Sequence, residues 1–548
     1  MAYNSAAGVG GMLKEGTQHY SNQDEGTHSA SVVSRNIEAC LQLCQMLSTS
    51  LGPQGRSKLV VNHLGKIVVT SDCNAILQEM EVEHPAAKLL QVACAKQNEL
   101  CGDGTNLVLS FAGELLWNTL ELIQKMGWQH ASEIIEGFNV AAKRAQNELL
   151  PSLSCGAVTD PTDEAQLMRI LKPVLITKQM GSEETLAPLV AKACLLVMTT
   201  KNNKQHRVSA DAVRTVKILG SSVSNSELIE GYVAQRGLET VVTSAKDCKI
   251  VVFASGVEAS STEAKGTVLM KTADDLKSYN KTEEAKMEEI IQGIAESGVK
   301  LIVSGGNVSD MALHFMDRYE LLCLRLGSKW ELRRLCQATG ATALVRLGAP
   351  TAEEMGHAEF VDVKEVGERT VTIIKAKETK LATILLRAST SSTLNDLERA
   401  VEDGVRAVEM VCKDGRLVYG GGAVEMAMAV ELTKEADKHP GLEQYAIRAF
   451  AKALEVVPKT LAVNAGWDAK VVADLQATHA SNPSFVNGHI CDSGVDIEQE
   501  GVKSMKEHDI VDLLGTKLSA LKLAVDAALT VLKIDQIIMS KPSGGPKM

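Results

Sequence analysis

Apolar positions recur along this chain with two different periods. From about Ser31 to Ser50, Ile37, Leu41, Cys44 and Leu47 follow three- and four-residue steps, which predicts a helix with one buried stripe. "LGPQG" (51–55) ends it, because glycine and proline break the helical pattern. "SKLVVN" and "KIVVTS" then predict a strand pair. Helical spacing resumes through "AILQEMEVEHPAAKLLQVACAKQNEL" and is interrupted at "CGDGTN". It continues in "LVLSFAGELLWNTLELIQKMG", with Leu107, Phe111, Leu115 and Leu122 among the apolar positions, and further helix is expected to Leu150.

Between Val208 and Leu386 the pattern changes. The short β-rich runs "VRTVKILG", "CKIVVFAS", "VKLIVSGG", "LLCLRLG", "TVTIIKA" and "ATILLRA" appear there, some alternating with helical stretches such as "TEEAKMEEIIQGIAESG" and "SKWELRRLCQATG". This predicts an α/β module inserted between two helical regions. After Arg387 the pattern is helical again, through "STLNDLERAVEDGVRAVEMV", a "GGGA" turn opening another helix, and "LLGTKLSALKLAVDAALTVL". A last strand, "KIDQIIMS", and a Gly/Pro tail follow. Helical ends around an α/β middle predict a discontinuous domain built from both ends. The 548 residues exceed what one hydrophobic core supports, so about two to four domains are expected.

Composition narrows the function classes. Hydrophobic residues make up 45% and charged residues 23%, ordinary for a globular protein. A formal charge of −11 and only 3% aromatics argue against a basic, base-stacking nucleic-acid surface. No run of about 18 apolar residues predicts a membrane span. The opening "MAYNSAAGVGGMLKEG" lacks the basic-then-apolar pattern of a secretory signal, and the first 30 residues are expected to be loose. Twelve cysteines are scattered; Cys40 and Cys44 have no second pair to complete a zinc site, so reduced thiols in a cytoplasmic protein are expected.

Three glycine-rich turns adjoin helices: Leu51–Gly55, Gly102–Asn106 and Gly420–Ala423. Successive backbone amides beside a helix N-terminus make an anion cradle, and an acid within "GDGTN" adds a hard oxygen for Mg²⁺. The chain has no Gly-x4-Gly-Lys-Ser/Thr loop and no Gly-x-Gly-x-x-Gly after a strand, so neither common nucleotide loop is present. Acids stand at Asp72, after a strand; at Asp103, inside a glycine turn; and at Asp403, near a predicted helix end. Such acids could hold a metal and orient water against a γ-phosphate if the fold gathers them. Taken alone, Asp72 reads as a helix N-cap, as a metal or redox site with Cys73, or as a catalytic acid, with the cap favoured.

"LGPQGRSK", "GDGTN", "DLERAVEDGV" and "GGGAVE" occur in this order across one chain. With "HPAAKLL", "TEAKGTVLMKTADDL", "GATALVRLGAP", "GLEQYAIRAFAKALEVVPKTLA" and "DQIIMSKPSGGP", they make the chain resemble the group II chaperonins, the family of the eukaryotic cytosolic TRiC/CCT and the archaeal thermosome. The resemblance covers essentially the whole length.

It implies a multidomain α/β chaperonin fold. A mainly helical equatorial domain would come from both chain ends (1–157 and 420–548). A small intermediate hinge domain would take 158–231 and 387–419. An inserted apical domain (232–386) would bind substrate and carry a helical protrusion at about 260–284 that forms a built-in lid. The eukaryotic branch implies a double ring with seven other subunit types, clients such as actin, tubulin and β-propeller proteins, and co-chaperones such as prefoldin.

The cofactors implied are ATP and Mg²⁺. Leu51, Gly52, Gly104, Thr105, Asn106 and Leu107 match the phosphate loops, Thr177 and Lys178 a nucleotide-sensing loop, and Gly421, Gly422 and Asp512 the base and ribose pocket. Asp103 matches the Mg²⁺ ligand, and Asp403 and Asp72 the catalytic acids. Met311, Phe315 and Met316 lie where clients would be gripped. Three departures stand out: Ser71-Asp72-Cys73-Asn74-Ala75 around the second acid, Tyr419 where Pro or Ala is usual, and Val463 where Glu is usual. They raise the expectation of a subunit that binds ATP and hydrolyses it slowly.

Overall fold

The computed structural model describes residues 28–538, except 63, 127–131, 201–205, 259–272, 368, 377–380 and 483–489. They form two compact units. One contains Met1–Ala191, Lys201–Arg207 and Arg399–Met548; the other contains Lys192–Thr200 and Val208–Glu398.

The first unit is mainly helical. Its last helix, Leu514–Leu532, is apolar around most of its girth and packs on helices Thr105–Met126 and Pro85–Cys101. A helix without a polar face is stable only when neighbours cover it on all sides. Phe450 meets Phe111 and Phe138 edge-on, with ring centroids 5.4 and 5.9 Å apart, and so joins the N-terminal helices to Glu443–Leu454. The predicted strand pair forms as Lys58–Val61 and Ile67–Thr70, antiparallel. It turns Val68 and Thr70 inward and leaves Leu59, Val61 and Ile67 exposed.

Two expectations for this unit change. The long helical pattern after Asp72 is two helices, Cys73–Glu79 and Pro85–Cys101. Pro85 has no N–H and forces His84 out of helical backbone, to φ −69°, ψ 125°. His84 then caps the second helix, its Nδ1 accepting from the Ala86 N–H at 3.3 Å. The second change is in "KIDQIIMS": residues 534–538 are not a strand, because no strand among the described residues pairs with them. Residues 539–548, and residues 1–27, which include most of the N-terminal stretch expected to be loose, lie outside the described residues.

The second unit is α/β. Its main sheet runs Leu322–Arg325, Val299–Ser304, Ser244–Phe253, Gly356–Val366, Arg369–Lys375, Tyr232–Ala234, with Ala343–Leu344 also paired to Ser244–Phe253. The first pairs are parallel and those from Gly356 onward antiparallel. A smaller sheet joins Val213–Leu219, Ala382–Ala388 and Glu227–Glu230. All six predicted β-runs are strands. Gly356–Val366 was not foreseen: its charged residues mask the alternation, and pairing on both edges makes it a strand. Of the expected protrusion, 259–272 lies outside the described residues and the rest is on helix Ala273–Glu296.

The residues expected to grip clients need correction. Helix Asp310–Arg318 turns Ala312, Phe315 and Met316 into the core with Phe253, Ile291 and Ile302. Phe315 is 8% exposed and Met316 0%, and Met311 packs partly against the same cluster. The stripe is this unit's own core, with His314 and Arg318 on the exposed side.

Candidate functional site

The site is assembled in the first unit from four stretches of chain. Helix Pro85–Cys101 ends at Gly102, which has φ 73° and donates its N–H to Asn98 O. Gly104 has φ 78°, and Thr105 starts the next helix. A Cβ at Gly102 would stand 3.0 Å from the Asp403 backbone oxygen and 2.9 Å from Arg406 Cβ. Glycine is therefore required twice over, by the left-handed backbone and by the neighbour. The turn lies directly against helix Ser391–Lys413, and Arg406 Nη1 donates to Asn98 O at 2.6 Å.

At this turn the first amides of helix Thr105–Met126 have no intrahelical partners, and the helix end favours negative charge. Thr105 and Asn106 are buried. Asn106 spends its side chain on structure: Nδ2 donates to Leu47 O at 3.1 Å, and Oδ1 accepts from Ser110 Oγ at 3.0 Å. Leu51 and Gly52 follow the helix ending at Ser48. Asn464 Nδ2 donates to Ser48 O and Leu51 O at 3.2 and 2.8 Å, and a Cβ on Gly52 (φ 84°) would lie 2.5 Å from Leu461 Cδ2. Val463, beside Asn464, is 55% exposed.

Three acids and a lysine meet here. Lys178 Nζ lies 2.8 Å from Asp72 Oδ1 and 3.0 Å from Asp403 Oδ2, with all three side chains at least nine-tenths buried. Thr177 caps helix Glu164–Ile176 and bonds Val174 O at 2.7 Å, which fixes the backbone beneath Lys178. Asp72 does two things at once, since its Oδ2 also accepts the Ala75 N–H at 3.0 Å and caps helix Cys73–Glu79. Cys73 is buried, and among the described residues no group of three or more His, Cys, Asp or Glu side chains could hold a metal by itself. The metal reading of Cys73 therefore falls. Asp403 is not near a helix end but in the middle of Ser391–Lys413. The glycine after it, Gly404, packs that helix against Val190, Leu171 and Leu175.

Electrostatics separate the acids. Burial pushes the Asp403 carboxyl up to about 7, an effect that Lys178 offsets only in part and that Asp72 and Asp103 reinforce. Its Oδ2 lies 3.0 Å from Lys178 Nζ, close enough for strong charge attraction. Burial also raises Asp72, but Lys178 and the Ala75 amide overcome this and hold it below its ordinary value. Burial raises Asp103, again against the pull of Lys178. Lys178 itself is held charged, because the attraction of Asp403, Asp72 and Asp103 exceeds the cost of its burial.

The other end of the site comes from the C-terminal segment. Gly421 and Gly422 have φ 62° and 80°, and a Cβ on either would strike Met505 Sδ at 2.6 Å or Pro458 Cβ at 2.8 Å. Asp512, on strand Val511–Leu513, pairs across to Val418. Its Oδ2 lies 2.9 Å from Lys517 Nζ, which also reaches Glu425 Oε1 at 2.5 Å. Burial depresses Lys517, but Asp512 and Glu425 more than reverse it and keep the ammonium charged. Lys517, Glu425, Gln97, Arg406 and Asn464 were missed from sequence. The one available signal was a lysine and a glutamate inside otherwise apolar helices.

Comparison of sequences gives the class of protein that carries this split helical unit and its glycine turns. The chain belongs to the TCP-1/cpn60 chaperonin family, whose profile matches residues 43–542. Among relatives, it is 44% identical over 547 residues to T-complex protein 1 subunit theta of Homo sapiens, covering 99% of this chain and 96% of that one. It is 44% identical over 544 residues to the subunit theta of Arabidopsis thaliana, covering 98% and 96% of the two chains. It is 41% identical over 544 residues to that of Dictyostelium discoideum, covering 98% of each.

Proposed function

We propose that this chain is a theta-like subunit of a hetero-oligomeric chaperonin double ring, which uses ATP binding and hydrolysis to close a lid and assist client folding in the cytoplasm. The observation that supports it most is the gathering of Asp72, Asp103 and Asp403 around Lys178, beside the open helix N-terminus at Thr105.

Asp103 fits Mg²⁺ by its donor chemistry: a single hard, half-buried carboxylate suits an ion that takes its remaining oxygens from water and phosphate. When bound there, Mg²⁺ supplies charge neutralisation for the phosphates. The Gly104, Thr105 and Leu107 amides hold phosphate oxygens, Leu51 and Gly52 line the loop, and Gly421, Gly422 and Asp512 bracket the base and ribose. Asp403 takes the proton of the attacking water, and Asp72 orients that water. Lys178 compensates the charge of both acids. The helix bearing Asp403 is also one of the segments in which the chain passes from one unit to the other.

The equatorial, intermediate and apical division, the ring of eight subunit types, the actin, tubulin and β-propeller clients and prefoldin belong to this reading. The test is single-turnover hydrolysis by the full chain and by Asp403→Ala. ATP binding should persist in the variant while turnover falls by at least about 10²-fold; equal hydrolysis by both would sink the assignment. A second reading, an ATP-binding subunit of mainly structural role, is favoured by the engagement of both Asp72 oxygens. A parent rate near that of Asp403→Ala would select it.

A further inference from the structure

Gln97 is 0% exposed and sits one turn before Gly102. Its Nε2 donates to two backbone carbonyls, Asp103 O at 2.9 Å and Thr516 O at 3.2 Å, the latter 419 positions away in the chain. Its Oε1 is buried with no hydrogen-bond partner. A buried amide with one end unsatisfied is less favourable than an apolar side chain of equal size, so packing alone does not explain a glutamine here. The two carbonyls belong to opposite ends of the site. Asp103 stands at the metal and phosphate end; Thr516 immediately precedes Lys517, whose ammonium fixes Asp512 at the ribose end. A Cβ on Gly104 would lie 3.2 Å from Gln97 Nε2 and 3.3 Å from Thr516 Cγ2, so the bare glycine lets the turn close over the amide.

We propose that Gln97 is a positioning residue that sets the spacing between the Asp103 end and the Asp512 end of the nucleotide site. The inference rests on the ATP-binding reading above. A ligand spanning both ends depends on this spacing, whereas one reaching only the phosphate end does not. Gln97→Met keeps the volume and removes both donated bonds together with the orphaned acceptor. Gln97→Glu keeps the shape but cannot donate to both carbonyls, and serves if the first variant folds poorly.

The experiment measures dissociation constants of the full chain for Mg-ATP and, by competition, for Mg-triphosphate, alongside thermal unfolding. The expected result is a loss of Mg-ATP affinity of about tenfold, the size of one or two hydrogen bonds, with Mg-triphosphate within about twofold of the parent and an unchanged thermal midpoint. Unchanged Mg-ATP affinity overturns the inference, as does an equal loss for both ligands or a loss that only follows unfolding. If the parent binds no Mg-ATP, the ATP reading falls and takes this inference with it. If parent and variants bind it alike, only the role of Gln97 falls.

Discussion

Lys178 Nζ stands 3.0 Å from Asp403 Oδ2, joining residues far apart in sequence inside a region almost closed to water. The same ammonium is bonded to Asp72 at 2.8 Å, so one cation serves two carboxylates with a third, Asp103, acting on it. Burial raises the Asp403 carboxyl to about 7, and the one shared ammonium offsets this only in part.

Activity should therefore depend on pH through Asp403. A water-activating carboxylate works only when ionised, so kcat/KM for ATP should rise with pH through about 7. Asp403→Asn should remove that rising limb. The linkage has the opposite sign for stability. A folded-state value above the unfolded one, about 4, means the native state holds the extra proton, so Asp403 costs stability increasingly as pH rises from about 4 to about 7. Asp403→Asn should be more stable than the parent at pH 8 and equal to it near pH 4. Urea midpoints at the two values check this.

Removing Lys178 should do the reverse. Lys178→Met strands two buried carboxylates and should cost about 3–5 kcal/mol at pH 8. The loss should shrink as pH falls and the acids protonate. Chemical denaturation between pH 5 and 8 measures it; a pH-independent loss would mean the lysine stem, not its charge, matters.

Gly102→Ala tests the contact between the phosphate turn and the helix of Asp403. At φ 73° the added Cβ costs about 1–2 kcal/mol in backbone strain, and it meets the Asp403 oxygen at 3.0 Å. Turnover should fall by more than the stability loss predicts, because the acid is displaced. Single-turnover rates compared with unfolding midpoints separate the two effects.

Lys517→Met should leave Glu425, only 3% exposed, as an unpaired buried charge and destabilise the unit by about 3–5 kcal/mol. Adding Glu425→Leu should restore most of that stability. ATP affinity should stay weakened in the double variant, since Asp512 has still lost its anchor. Thermal melts and nucleotide titration of both variants distinguish the roles.

The chain's local chemistry was legible without a fold. Three- and four-residue spacing marked the helices, β-rich runs six of the ten strands described in the second unit's two sheets, and glycine turns the places where backbone takes left-handed conformations. These signals work because the forces behind them, side-chain periodicity and backbone freedom, act within a few residues. The order of the motifs indicated the chaperonin family. Local rules misled where a neighbour decided. Pro85 split a continuous helical pattern, Gly356–Val366 became a strand through its partners, and Met316 turned inward because a sheet lay beneath it. Asp72 shows the division most clearly. Its place before a helix predicted a cap, and it is one; that its other oxygen bonds Lys178, 106 residues away, is a tertiary fact. So are the bridge through Gln97 and the raised carboxyl of Asp403. Coulomb attraction and desolvation depend on separation in space and on water being excluded, and only the folded chain sets both.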